Sequence, residues 1–316
     1  MTKRLLIASR VQAVEEVAKG IRRFTVVPEH RPRYPRATAG SHVTVRHKSG
    51  LLRSYSLCSD ASQRERYQFA VQREDAGRGG SVLFHDDVAV GDPLHISYPV
   101  ESLALLDAAG YVFVAGGIGI TPFLPLALEA SRLGRPSELH YAVKSREQLA
   151  FLAEFDKIPL LSVHLYVSSE GSRVDVATLV DTLGGDVHLL ACGPERLLSA
   201  ISEASELRAD TQDRVHLESF SGLDPEAARS GDPFSVHLRL SKLDVEVPAN
   251  KSLLRSLIDA GVDVDSSCEG GICGACRVTL VGGDAIHRDI CLTDDSRKDT
   301  IITCVSRGRG VLTLQL

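Results

Sequence analysis

Cys268, Cys273 and Cys276 lie in the run Ser-Cys-Glu-Gly-Gly-Ile-Cys-Gly-Ala-Cys, and Cys304 follows in Ile-Ile-Thr-Cys-Val. C-x4-C-x2-C with a distant fourth cysteine is the ligand spacing of a plant-type [2Fe–2S] cluster, and thiolates are soft donors that suit iron–sulfur chemistry. Gly270, Gly271 and Gly274 let such a loop fold tightly, with backbone N–H groups free to approach sulfur. A structural zinc site is the competing reading. Zinc usually takes two short C-x2-4-C knuckles, whereas here one knuckle sits inside a three-cysteine loop and the fourth cysteine stands alone. The pattern predicts one-electron transfer.

Three further runs could bind phosphate or a flat ring. Gly116-Gly117-Ile118-Gly119-Ile120-Thr121-Pro122 follows an apolar run directly. There, backbone N–H groups and a helix N-terminus could receive a pyrophosphate. It is not the G-x-G-x-x-G fingerprint, because Pro122 stands where the last glycine would be, and a plain tight turn explains it equally well. Cys192-Gly193-Pro194 ends a later apolar run in the same way. Arg53-Ser54-Tyr55-Ser56 offers an aromatic ring, a guanidinium and hydroxyls. Gly77-Arg78-Gly79-Gly80-Ser81 offers N–H donors and a cation for a phosphate. Each of these last two could equally be a surface loop. Cys58 sits in a strand-like run and reads as a small buried hydrophobe. The eleven histidines show no H-x-x-x-H or other metal-ligand spacing.

The elements that must position these residues fall into three textures. In the first ~100 residues, short strands alternate in period two between turns, as in His42 to Arg46 and Tyr67 to Val71, which predicts a barrel or a sandwich. From residue 110, continuous apolar runs (Tyr111 to Ala115, Leu139 to Val143, Val163 to Val167, Val187 to Cys192) alternate with helical segments. One such helix carries Leu197, Ala200, Ile201 and Ala204 on a single face. This is the pattern of a doubly wound α/β domain with buried parallel strands. Residues 221–232 are rich in turn formers and lack periodicity, as a linker does. The tail opens with a hairpin (Val236, Leu238 and Leu240, then Val245 and Val247). A short helix follows, capped by Ser252, with Leu254, Leu257 and Ile258 inward and Gly261 closing it. The expected domains are 1–105, 106–220 and 233–316, joined by 221–232.

Composition agrees with a soluble globular chain: 316 residues, 43% hydrophobic, 24% charged, net charge −5. No run reaches the ~18 apolar residues of a membrane span. The N-terminus turns polar too early for a signal peptide, and the charge gives no footprint for nucleic acid. An odd number of cysteines without a signal peptide points to a reducing cytoplasm.

Taken in order, Arg-x-Tyr-Ser, Gly-Arg-Gly-Gly-Ser, Gly-Gly-Ile-Gly-Ile-Thr-Pro, Cys-Gly-Pro, Glu218-Ser219-Phe220 and the C-terminal cysteine loop resemble the phthalate dioxygenase reductase family, which includes vanillate O-demethylase reductases. The resemblance spans essentially the whole chain. It implies a multidomain protein: an antiparallel β-barrel flavin domain, an α/β doubly wound nucleotide domain and a β-grasp ferredoxin domain. It also implies FMN, NADH and a [2Fe–2S] cluster as cofactors. The expected partner is a Rieske non-haem iron oxygenase, with a cytochrome P450 as the alternative acceptor, and the expected state is a cytoplasmic monomer. A redox-sensing or zinc-binding protein without catalysis is the reading from a different class.

By motif, the resemblance assigns Arg53, Ser54, Tyr55, Ser56, Ala70, Val71 and Gln72 to the flavin, and Gly79, Gly80 and Ser81 to its phosphate. It assigns Gly116, Gly117, Gly119, Thr121, Lys144, Ser145, Gly193 and Pro194 to the nicotinamide nucleotide. Cys192, Thr121 and Phe220 would stand at the hydride-transfer position, and Cys268, Cys273, Cys276 and Cys304 would hold the cluster. Four positions depart from the family pattern. Gln72 replaces a lysine, and Lys144-Ser145 stands for Arg-Ser, losing the bidentate fork. Val100-Glu101-Ser102-Leu103 replaces an Arg/Lys-Asn-x-Phe segment, and Cys291 is an extra cysteine before Cys304.

Overall fold

The computed structural model describes residues 6–77, 79–208, 210–220 and 230–316. Arg78 and residues 221–229, most of the expected linker, lie outside the described residues. The chain divides into two compact units, one holding Leu6–Leu51 and Tyr55–Phe220, the other holding Leu52–Ser54 and residues 230–316.

Period-two alternation produces an antiparallel sheet of β1 (Leu6–Ala18), β2 (Ile21–Pro28), β3 (Ser41–Arg46), β4 (Leu52–Ser56), β5 (Tyr67–Gln72), β6 (Pro93–Ser97) and β7 (Val100–Glu101). Its order is β4-β3-β6-β1-β2-β5, with β7 beside β3. A bridge from Leu57 to Phe69 carries the segment after β4 back to β5, so the sheet curls on itself. Phe24, Phe69 and Phe84 fill the curl, Phe84 coming from helix α1 (Gly80–Asp87).

The apolar runs become the parallel sheet of β8 (Gly110–Gly116), β9 (Ser137–Val143), β10 (Leu161–Val167), β11 (Val187–Gly193) and β12 (Val215–Ser219), in the order β10-β9-β8-β11-β12. Helix α2 (Phe123–Arg132) covers one face, with α3 (Leu152–Phe155) near it. Helices α4 (Val176–Asp181) and α5 (Glu195–Glu206) cover the other. On α5 the fully buried positions are Leu198, Ile201 and Ser205, so the inward face is turned one residue from the expected one. Chain order reverses between β8 and β11, and ligand crevices form beyond the strand ends at such a switch point.

The two sheets of this unit share a core. Ile21, Cys58 and Ala70 from the curled sheet pack in one cluster with Tyr111, Phe113 and Phe123. Arg23 bridges across to Glu154 at 2.8 Å, and Lys19 to Glu147 at 2.6 Å. Cys58 is fully buried, and burial pushes its thiol up to about 12, so it behaves as the small apolar group expected.

The second unit contains β13 (Phe234–Leu238), β14 (Leu243–Val247), α6 (Leu253–Asp259), β15 (Arg277–Ile286), β16 (Thr300–Ile302) and β17 (Arg307–Leu314). The sheet order is β14-β13-β17-β15-β16, with β13 and β17 parallel. The hairpin forms as expected, except that Leu240 lies exposed in its turn. Ser252 caps α6 through Arg255 N at 3.2 Å, and Gly261 closes it at φ +78°. The buried residues of α6 are Leu253, Leu254 and Leu257. Ile258 is exposed, because the helix presents the i, i+1, i+4 edge rather than the one centred on Ile258.

Arg307 is 1% exposed. Its guanidinium donates to the carbonyls of Lys251 (2.7 Å), Asp232 (2.7 Å), Pro248 (3.1 Å) and Gly231 (3.3 Å), and lies over the Phe234 ring. One side chain thus ties the entry of the unit (231–232) to the loop before α6. Arg307→Met should lower the unfolding free energy by more than ~2 kcal/mol, since it strands several buried carbonyls. Arg307→Lys should recover little of this, because an ammonium lacks the planar fork. Urea unfolding curves of the full chain check both.

Candidate functional site

The glycine turn after β8 is shaped first by packing. A Cβ on Gly116 would lie 2.5 Å from Pro194 Cδ, and one on Gly119 would lie 2.2 Å from the Cys192 carbonyl oxygen. A Cβ on Gly193 would lie 2.9 Å from Gly116 Cα. The ends of β8 and β11 therefore touch backbone to backbone. Gly117 has φ +55°, which a side chain would strain. Thr121 is buried, and its hydroxyl donates to Ile118 O at 3.0 Å, holding the single 3-10 turn that leads into α2. Pro194 caps α5 in an extended conformation. Lys144 and Ser145 follow the end of β9, on the same strand-end side as Gly116 to Thr121 and Gly193.

Register brings a carboxylate into this crevice. Cys192 on β11 pairs with Glu218 on β12, and Glu218 Oε1 accepts a 2.5 Å hydrogen bond from Ser102 Oγ, which lies just beyond β7. Glu218 is 5% exposed, and burial pushes its carboxyl up to about 7 although Ser102 pulls it down. Its Oε2 has no hydrogen-bond partner. Burial and the neighbouring Glu218 raise the Cys192 thiol well above its ordinary value, so this cysteine stays a neutral thiol. Phe220 directly follows β12 and is 40% exposed.

On the curled sheet, one face of Tyr55 stacks on Phe69 at 5.1 Å and 10°, with Phe84 at its edge, leaving the ring half-buried. Ser56 Oγ is buried without a partner. Gln72 ends β5 beside the nucleotide turn, its Oε1 being 3.9 Å from where a Gly117 Cβ would stand. The side chains of Ala70 and Val71 are buried, so only their backbone can face a ligand. Gly79, at φ +76° with open space around it, precedes α1, and no side chain caps that helix. Its first-turn N–H groups have no intrahelical acceptor. The Ser81 hydroxyl is engaged by the Glu74 backbone, accepting from N at 3.0 Å and donating to O at 3.3 Å, so it closes the loop. An orphaned hydroxyl, a half-covered aromatic ring and an uncapped helix start fit a flavin mononucleotide.

In the second unit, Cys268, Cys273, Cys276 and Cys304 converge: Cys268 is within hydrogen-bonding reach of Cys273 and Cys304, and Cys276 of Cys304. Backbone N–H groups of Gly270 and Cys273 point at Cys268 Sγ, and that of Ala275 at Cys273 Sγ, each at 3.4 Å. Glu269 takes φ +53°, held by Arg255 at 3.1 Å, while Gly271 and Gly274 supply the other left-handed positions. Leu254, Leu292, Ile302 and Val305 form a dry wall. Cys291 is packed at that wall, outside the four-sulfur contact set. Its thiol, raised to about 12 by burial and nearby negative charge, faces Asp289 Oδ2 at 4.0 Å. Four converging thiols with N–H donors on sulfur fit an iron–sulfur cluster, although a four-sulfur set alone also suits zinc.

Comparison with known proteins decides between these. Residues 236–308 match the 2Fe-2S iron-sulfur cluster binding domain. The phthalate 4,5-dioxygenase oxygenase reductase subunit of Pseudomonas putida is 38% identical over 314 residues, covering 97% of this chain and 96% of that one. The chain belongs to the phthalate dioxygenase reductase family. A solved phthalate dioxygenase reductase, described as a modular structure for electron transfer from pyridine nucleotides to [2Fe-2S], superposes with a TM-score of 0.71 at 35% identity, covering 98% of each chain. An intact type IV self-sufficient cytochrome P450 monooxygenase matches at TM-score 0.84 and 38% identity, over 98% of this chain and 41% of that one.

Glu218 lies in a quoted motif and Ser102 in a quoted departure, but motif reading gave neither a role. Ser102 lies in a segment that departs from the family pattern, and only the β11–β12 register sets Glu218 beside Cys192.

Two outcomes check this geometry. Cys304→Ser should lose iron and acid-labile sulfide while Cys291→Ser keeps both; the reverse pattern would exchange their roles. Glu218, with a folded-state value raised from 4.5 to about 7, contributes stability that is full below pH 4.5 and is lost as pH rises through 7. Across that window the wild type should lose about 3 kcal/mol relative to Glu218→Gln. Parallel urea midpoints from pH 4.5 to 7.5 would show that Glu218 does not carry this titration.

Proposed function

We propose that this chain is an NADH-dependent oxygenase reductase that delivers electrons singly to a Rieske non-haem iron oxygenase. The observation that carries the reading is that one chain holds both redox ends: a glycine-lined strand-end crevice and a half-covered aromatic ring, Tyr55, in one unit, and four converging thiols in the other. When bound, FMN accepts hydride from NADH and the [2Fe–2S] cluster passes the electrons on one at a time.

The chain's own residues prepare these sites. Backbone N–H groups from Gly116 to Thr121 receive the nucleotide's phosphates, with Lys144 and Ser145 at the neighbouring strand end and Pro194 starting α5 opposite. Arg53, Ser54, Tyr55 and Ser56 hold the flavin ring with the backbone of Ala70, Val71 and Gln72, and the helix start at Gly79 to Ser81 takes its phosphate. Cys192 backs the reaction position as a neutral thiol, Glu218 can hold a proton at Oε2, and Phe220 shields the ring until nicotinamide displaces it. Cys268, Cys273, Cys276 and Cys304 hold the cluster, and their N–H donors favour the thiolate state.

No helix among the described residues is long and apolar enough to cross a membrane, and the seven cysteines form no disulfide. Cysteines without disulfides suit work in the reducing cytoplasm. A second reading keeps the same reductase but gives it a cytochrome P450 acceptor, favoured by the match of nearly the whole chain to part of a P450 monooxygenase.

A fragment ending at Phe220 should retain a flavin whose heat-released mass is that of FMN, and should still reduce ferricyanide with NADH. It should fail to reduce an oxygenase partner. Release of a flavin carrying an adenylate, or normal oxygenase turnover by the fragment, would overturn the reading.

A further inference from the structure

We infer that the nucleotide domain carries a second metal site, for a borderline divalent ion of the Zn2+ type, built from Glu138, His140 and His164 on the outer strands β9 and β10. The register places them. His164 pairs directly with His140, and Glu138 sits two residues before His140, so all three side chains rise from the same face of the sheet. Glu138 Oε2 is 3.4 Å from His140 Nε2 and 3.7 Å from His164 Nε2, and the three donor atoms lie within 4.8 Å of one another. Donors around a tetrahedral ion with bonds of about 2.0–2.1 Å are separated by about 3.3 Å. The imidazoles are stacked, centroids 4.7 Å apart at 18°, with both Nε2 atoms turned toward the carboxylate.

His140 makes this a built site. It is 7% exposed, and its Nε2 is buried with no hydrogen-bond partner. Its other ring nitrogen, Nδ1, is 2.9 Å from the hydroxyl of Tyr166, two residues beyond His164 on β10. With Nδ1–H donating to Tyr166 Oη, the ring is locked and Nε2 keeps its lone pair for a metal, the outer-shell arrangement that ligating histidines usually have. Two imidazoles and a carboxylate are a zinc, nickel or copper donor set rather than a calcium or magnesium one. Glu138 and His164 are exposed, which leaves a fourth position open to water. A bound ion would rivet the edge strand β10 to β9 and stabilise the folded state by mass action.

The test uses the full chain carrying its flavin and cluster, dialysed against micromolar zinc chloride. The parent should retain one additional zinc with its iron content unchanged, and zinc should raise its thermal midpoint. His164→Ala and Glu138→Gln change exposed residues outside the redox sites. Each should weaken zinc binding at least tenfold, judged against the tenfold or more that loss of an outer-shell partner alone costs, and should abolish the thermal shift while flavin and iron stay at parental levels. Three results would overturn the assignment: no zinc retained by the parent, zinc uptake matched by loss of iron, or variants that bind zinc as tightly as the parent.

Discussion

At Gly116, Gly119 and Gly193 two strand ends meet with no room for a methyl group, and the crevice beyond the strand ends depends on that contact. Parallel strands β8 and β11 flank the point where the sheet's order reverses. Chain entering α2 and chain entering α5 must turn away from each other there. They can do so only if their backbones pass at van der Waals distance. A Cβ at Gly119 would meet the Cys192 carbonyl, which is backbone and cannot swing aside as a side chain would. The same closeness presents unobstructed N–H groups at the start of two helices, where a phosphate is favoured by both hydrogen bonding and the helix dipole. Packing alone thus requires these glycines, and the proposed nucleotide site would draw on the same ones.

That contact also fixes where charge can reside. Once Cys192 is held at the bottom of the crevice, the neighbouring strand must place Glu218 against it, and the curled sheet reaches over with Ser102 to meet the carboxylate. The result is a buried acid near neutral pH beside an un-ionised thiol. Desolvation raises both groups; the serine hydroxyl moderates only the acid. A permanently charged thiolate or carboxylate would be costly in such a place.

The cysteine loop solves a different problem. Four thiols crowded together repel once ionised, so the fold supplies N–H donors to two of them and a dry wall behind. Left-handed turns at Glu269, Gly271 and Gly274 aim those donors. Arg307 ties the entry of this unit to the loop before α6 by collecting four carbonyls, polar contacts that add to what a small apolar core provides.

Local pattern was enough, in this protein, for whatever depends on spacing along the chain. The C-x4-C-x2-C loop, the apolar runs of β8, β9 and β11, the alternation of β3 and β5, and the Ser252 cap with its closing glycine were all legible, because each is a contact between near neighbours or a periodicity of one element. The position of β10 was legible but not its burial, since it lies at the sheet edge with only Val167 buried. Strand β12 and the exact inward faces of α5 and α6 were not, since a helix's buried edge is chosen by the surface it lands on. The pairings that matter most for chemistry were hidden for the same reason. Nothing in the spacing of residues 102, 192 and 218, or of 138, 140 and 164, announces a cluster. Parallel strands are hydrogen-bonded across long crossover connections, and only the register of the finished sheet decides which side chains stand together.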